Sequence, residues 1–197
     1  MKKKQIHYLM NKKKSGFLSP YLAKKRALES MKYISKKKKM RILDYGCNYG
    51  HLSQFFTKNN YVGYDINKEA IKSAKRNFPK YTFLSHKKKI IGKFDYIVSL
   101  AVIEHVQNPK FFLKNLAFYL KNKDSKLIFT TPNPSMEFVH KLFSKVGIVS
   151  SDADEDHEKL LNFSDINRIC DELSLKIIIK KYFLFFCNQI FVVSRTQ

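Results

Sequence analysis

Three features of this 197-residue chain predict an α/β fold with a doubly wound, mostly parallel sheet of seven strands and helices on both faces. Strand-like and helix-like segments alternate along most of its length, the pattern of strand–helix–strand units. An early apolar run, RILDYGCNYG at 41–50, stops on Asp44 and turns through Gly46 and Gly50. That is the layout of a ligand-binding strand end in an open sheet. The last two strand-like segments have no helix between them. They pair as a hairpin, so the final strand runs antiparallel at or near an edge.

The elements follow in order. Residues 1–15 are basic and little patterned. PYLAKKRALESMKYI places Leu22, Ala23, Arg26, Ala27, Met31 and Ile34 at helical spacing, with Pro20 in the first turn. MRILDY reads as a strand, HLSQFFTKN as a helix and YVGYDI as a strand. NKEAIKSAKRNF is a helix capped by Asn67 and closed by Pro79. YTFLS and FDYIVSL are strands, and NPKFFLKNLAFYLKN is a helix with Pro109 in its first turn. SKLIFTT is a strand and MEFVHKLFSKV a helix, followed by the acidic stretch SSDADEDHE. SDINRICDEL is a helix capped by Ser164, and LKIIIKKYFLF and NQIFVVSR are the closing strands. No linker or repeat divides the chain, so one domain is expected: a helical cover over 1–39 and a core over 40–197.

Composition narrows the functional classes. Apolar residues make up 44% and aromatics 14% of the chain, enough for a packed core. No apolar run reaches the roughly 20 residues of a membrane-spanning helix. The basic start is followed by no apolar h-region, so no signal peptide is expected. Cys47, Cys170 and Cys187 form neither a metal spacing nor an even disulfide set, which points to a reducing, cytoplasmic setting. The net charge of +22 invites a nucleic-acid partner, yet only five of the 38 basic residues are Arg. Arg reads phosphates and bases best, and a Lys, Asn, Ile and Phe excess is what AT-rich coding produces. The lysine runs at 2–4, 12–14, 36–39 and 87–89 are therefore read as solvated, and an RNA acceptor stays as the rival reading.

Gly46 and Gly50 permit positive φ and leave the turn open to a ligand. A dinucleotide fold requires G-x-G-x-x-G here, and a P-loop requires Gly-Lys-Ser/Thr; the chain has neither. An acid two positions before the first glycine suits a cationic ligand better than a pyrophosphate. About twenty residues on, the second strand ends with Asp65 and Ile66, and an acid there accepts from both hydroxyls of a ribose. A nucleoside with a positive, amino-acid-like tail meets these demands, and S-adenosylmethionine fits the description.

With these segments in hand, the chain resembles a class I S-adenosylmethionine-dependent methyltransferase. The broad group is the one that contains the ubiquinone-biosynthesis O-methyltransferases. The resemblance rests on ILDYGCNYG, VGYDINKEAI, FDYIVSLAVIEHVQNP, LIFTTPNP and DHEKLLNFSDINRICDELSL, in that order, from about residue 40 to 180. It implies the strand order 3-2-1-4-5-7-6 with the seventh strand antiparallel. It also implies cofactor contacts from Asp44, Gly46, Cys47, Gly50, Asp65, Ile66, Ser85 and Leu100. Two departures stand out. Asn48 replaces the middle glycine of the turn, where a short polar side chain tolerates unusual φ. The acid that often follows the third strand is missing from FLSHKKK, which leaves Ser85 or His86 to face the adenine.

Methyl transfer from a sulfonium needs alignment more than acid–base chemistry, and a base only where the acceptor must lose a proton. His105 in VIEHV is the candidate base; the plainer alternative is that Glu104 and His105 cap the next helix or hydrogen-bond the backbone. Some relatives hold a divalent ion with E-x-x-E-H and a later histidine. Here the first acid is Ala101, so no metal is expected. Asn133 in TTPNPS and His157 in the acidic stretch are candidate acceptor contacts, and Asp152, Asp154, Glu155 and Asp156 are read as a solvated loop. Phe17 or Tyr21 is placed to line the site if the first helix folds over it. The region after the fourth strand lacks both a Pro-Cys loop and an Asx-Pro-Pro-aromatic signature, which argues against methylation of DNA bases. The expected function is methyl transfer to a small-molecule, sugar-like or lipid-linked acceptor, at oxygen. A non-catalytic cofactor-binding protein is the alternative outside enzymology.

Overall fold

A computed structural model describes residues 19–35, 39–136 and 160–196. Seven strands form one sheet: β1 (Ile42–Tyr45), β2 (Tyr61–Tyr64), β3 (Thr82–Leu84), β4 (Tyr96–Leu100), β5 (Lys126–Pro132), β6 (Leu175–Phe183) and β7 (Asn188–Arg195). Their order is β3-β2-β1-β4-β5-β7-β6, as the resemblance implies. Every pairing from β3 to β5 is parallel, and β7 runs antiparallel to both neighbours. The final strand thus lies inside β6, which forms the edge.

Two apolar layers sandwich the sheet, because successive side chains along a strand point to opposite faces. Ile42, Tyr61, Val98, Ile128, Ile190 and Val192 belong to one layer; Leu43, Ile97, Leu127, Phe129, Phe191 and Val193 belong to the other. Helices α1 (Ser19–Met31) and α2 (Lys68–Asn77) supply Ala27, Met31, Ile71 and Ala74 to the first layer. Helices α3 (Pro109–Phe118) and α4 (Phe163–Glu172) supply Leu113, Leu116, Ile166 and Cys170 to the second. Glu29 of α1 bonds to Lys181 of β6 at 3.1 Å, which ties the first helix to the edge strand.

Caps fix the helix starts. Asn67 accepts from the backbone N–H groups of Glu69 and Ala70, as expected, and Asn108 accepts from that of Phe111. The start of α4 differs from expectation: the cap is Asn162, in a reciprocal capping box with Asp165, and Ser164 lies inside the helix. HLSQFFTKN also differs. Only His51–Phe55 winds, as a 3₁₀ turn, before an extended Phe56 ends it. The paired phenylalanines pack inward and outward at once, Phe56 against the first layer and Phe55 toward water, and no apolar stripe extends the turn. The expected helix over MEFVHKLFSKV lies outside the described residues, apart from Met136 in a short 3₁₀ turn.

Candidate active site

The site forms at the carboxyl ends of β1, β2, β4 and β5. After β1 the chain makes three left-handed residues: Gly46 at φ 86°, Asn48 at φ 46° and Gly50 at φ 78°. At Gly50 a Cβ would stand 2.5 Å from the ring of Phe83, so glycine is required by packing as well as by φ. Asn48 occupies the left-handed region that its side chain tolerates. Gly46 and Cys47 both donate to the Tyr64 carbonyl, at 2.8 and 2.9 Å, which folds the turn back onto β2.

Asp65 fastens the two strand ends together. Its Oδ2 accepts from the Asn48 backbone N–H at 2.7 Å and its Oδ1 from that of Asn67 at 2.8 Å. The carboxylate is thereby fixed in direction, and each oxygen keeps a second lone pair for a ligand hydroxyl. Ile66, the next residue, is 82% exposed, an apolar surface at the rim of the turn. Ser85 is half-buried and His86 exposed.

Asp44 lies deeper than the sequence suggests. It is 4% exposed, and Tyr61 donates its hydroxyl to Oδ2 at 2.5 Å. Burial raises the Asp44 pKa to about 7, against the lowering effect of the Tyr61 bond. Tyr61, the partner of Asp44, was not singled out from sequence; strand alternation could have found it, since Tyr61 and Gly63 share a face of β2 and Gly63 pairs with Asp44. The Cys47 thiol is buried in the first apolar layer, and that burial pushes its pKa up.

Beyond β4, Ala101 takes φ 56°, and its N–H donates to the Thr130 carbonyl and hydroxyl, both at 3.1 Å. This bend starts the 3₁₀ turn Ile103–His105. His105 is exposed on it, while Glu104 is 1% exposed; burial raises its pKa, opposed by a hydrogen bond from its own backbone N–H, by Arg26 and His105, and by the Thr131 side chain. The cap of α3 is Asn108, so neither residue caps that helix, whereas the Glu104 carboxylate does bond to backbone, at its own N–H. Among the described residues, Asn188 Nδ2 and Gln189 Oε1, at the adjacent start of β7, are buried without a hydrogen-bond partner. Arg26 of α1 reaches this end of the sheet through Nε, 2.9 Å from Asn188 Oδ1. Asn188 and Gln189 were not singled out from sequence, because nothing in their spacing marks them.

Leu100, half-buried, ends β4 beside the turn. Asn133 is buried; its side chain donates to the Phe186 carbonyl at 3.0 Å and accepts from the Ser135 N–H. Its visible work is turn chemistry. Tyr21 is half exposed on α1. His157, the acidic stretch and Phe17 lie outside the described residues.

Residues 17–178 match the protein family described as "Methyltransferase domain". Over 151 residues the chain is 25% identical to a ubiquinone biosynthesis O-methyltransferase of Vibrio campbellii, a match covering 68% of this chain and 63% of that relative's length. Solved structures share the fold. The magnesium protoporphyrin IX methyltransferase of Synechocystis PCC 6803 with bound SAM superposes with a TM-score of 0.62 at 16% identity, covering 89% of this chain and 78% of that one. A chain from the complex of the Haloferax volcanii Trm112 methyltransferase activator with its putative methyltransferase gives 0.69 at 11% identity, covering 87% and 89%.

Proposed function

The chain belongs to the methyltransferase-domain family, and from that premise we propose that it transfers a methyl group from S-adenosylmethionine to a small-molecule, sugar-like or lipid-linked acceptor, at oxygen. The observation that carries the reading is the Asp65 carboxylate, fixed by two backbone N–H groups between the β1 and β2 turns. A ribose needs an acceptor held in one direction with lone pairs to spare, and Asp65 offers that. The exposed Ile66 beside it offers an apolar surface that suits the face of an adenine.

The cofactor, when bound, supplies a methyl group activated on a sulfonium. The chain's own residues orient and exclude. Gly46, Asn48 and Gly50 curve the backbone around the ligand, Asp44 gives a buried acid next to its cationic tail, and Leu100 walls the β4 side. His105 is the group assigned to receive the acceptor's hydroxyl proton, from its exposed place on the turn after Ala101. Residues 1–197 act as one domain in this reading, with α1 as cover.

Calorimetric titration with S-adenosylhomocysteine tests the reading directly. Saturable heat is expected, with binding weakened in Asp65→Ala. Absence of heat with the unaltered chain would overturn it.

A further inference from the structure

The turn between β6 and β7 breaks the ordinary rule for hairpins. Leu184, Phe185 and Phe186 all sit in the left-handed region, at φ 52°, 52° and 66°. Glycine or asparagine belongs there, because a bulky L side chain strains that backbone. Elsewhere among the described residues the non-glycine positions at positive φ are small or asparagine, Asn48, Ala101 and Ser174. The strain also serves no burial: Phe185 is 92% exposed and Phe186 65% exposed. The turn is nonetheless held firmly, with Cys187 N–H donating to the Leu184 carbonyl and Asn133 gripping the Phe186 carbonyl, both at 3.0 Å. Strained residues that persist in a held backbone mark functional positions.

The surroundings indicate the partner. Phe186 packs on Tyr182, ring centroids 5.8 Å apart, and Lys180 Nζ lies over both Tyr182 and Phe163. Aromatic rings are thus mixed with lysine along β6, the sheet's edge strand. Lysine on an edge opposes strand pairing with another copy, and a net charge of +22 makes two copies repel. Both features favour a negatively charged surface, and exposed aromatics next to lysine suit the headgroup boundary of a bilayer.

We propose that the Phe185–Phe186 tip is a peripheral membrane anchor that inserts into the interface of an anionic lipid bilayer. Asn133 connects the tip to the carboxyl ends of the strands, so docking turns the site's mouth toward the lipid. A lipid-borne acceptor follows from that orientation; this last step rests on the methyl-transfer reading, whereas the docking does not.

Vesicle flotation of the full chain decides the matter. Binding to phosphatidylcholine–phosphatidylglycerol vesicles, weakened by salt and absent with phosphatidylcholine alone, is expected. F185N/F186N relieves the left-handed strain, so it should retain its melting temperature and its affinity for S-adenosylhomocysteine while binding vesicles about tenfold more weakly or worse. Failure of the unaltered chain to float, or equal flotation of the variant, overturns the proposal. So does a dimer in sedimentation that the variant dissolves. Since the chain has no Trp, F185W gives a single fluorescent reporter. Its emission should shift to the blue on anionic vesicles, and an unshifted spectrum overturns the proposal even if the double variant does not fold. Loss of the S-adenosylhomocysteine heat alone would remove the methyl-transfer reading and leave the anchor standing.

Discussion

Asp65 and Asp44 end neighbouring strands and yet have opposite electrostatic situations. Asp65 is half-buried and bonded to two backbone N–H groups. Removing its carboxylate costs charge-assisted hydrogen bonds to a ligand, so Asp65→Ala should weaken S-adenosylhomocysteine by about 10- to 100-fold in calorimetry. Asp44 is buried, its carboxylate accepts from the Tyr61 hydroxyl, and burial lifts its pKa from 3.8 to about 7. The sign follows from linkage: an acid with a raised folded pKa contributes stability that is full below its unfolded pKa and lost as pH rises through the folded one. Asp44 should therefore lower the melting temperature of the ligand-free chain between pH 4 and 7, in step with its pKa range. Ligand affinity should move the other way, because a cationic tail prefers the carboxylate. S-adenosylhomocysteine should bind more weakly as pH falls below about 7, and Asp44→Asn should flatten both profiles. Both acids could be read as site residues from their places after strand patterns. Asn67, one partner of Asp65, lies two residues on, but Asn48 and Tyr61 reach these acids only because β1 and β2 lie side by side.

At the scale of elements, the turn after β1 and the start of α4 are the informative pieces. Gly50 combines a left-handed φ with a Cβ position 2.5 Å from Phe83. Gly50→Ala should cost about 2–4 kcal/mol in denaturant unfolding, from backbone strain plus overpacking. Asn162 closes a full capping box, so Asn162→Ala should cost about 1 kcal/mol. Sequence signals located this helix but chose Ser164 as its cap, since Ser and Asn are both good caps and only backbone geometry separates them. The 3₁₀ turn at His51–Phe55 shows the same limit. A composition compatible with an α-helix does not lengthen one when the next residue must turn extended to begin the descent to β2. Strands were the most legible elements, because β-branched and aromatic runs bounded by polar turns leave few alternatives.

For the whole molecule, charge and topology act separately. A net charge of +22 repels itself in the compact state, so melting temperature should rise between low salt and about 0.3 M sodium chloride as screening shortens. Unchanged melting over that range would mean that the lysines lie too far apart to interact. The sequence by itself determined the α/β class, the place of the turn after β1, the two acids at the strand ends and the antiparallel last strand. Each of these depends on local periodicity, on residues that permit special backbone angles, or on connection length. Only the tertiary structure decided that Asp44 is buried on Tyr61, that Glu104 is sequestered while His105 stays exposed, and that Phe185 and Phe186 project from a strained turn. Burial and orientation arise from segments distant in sequence meeting in space, and no single segment carries that information.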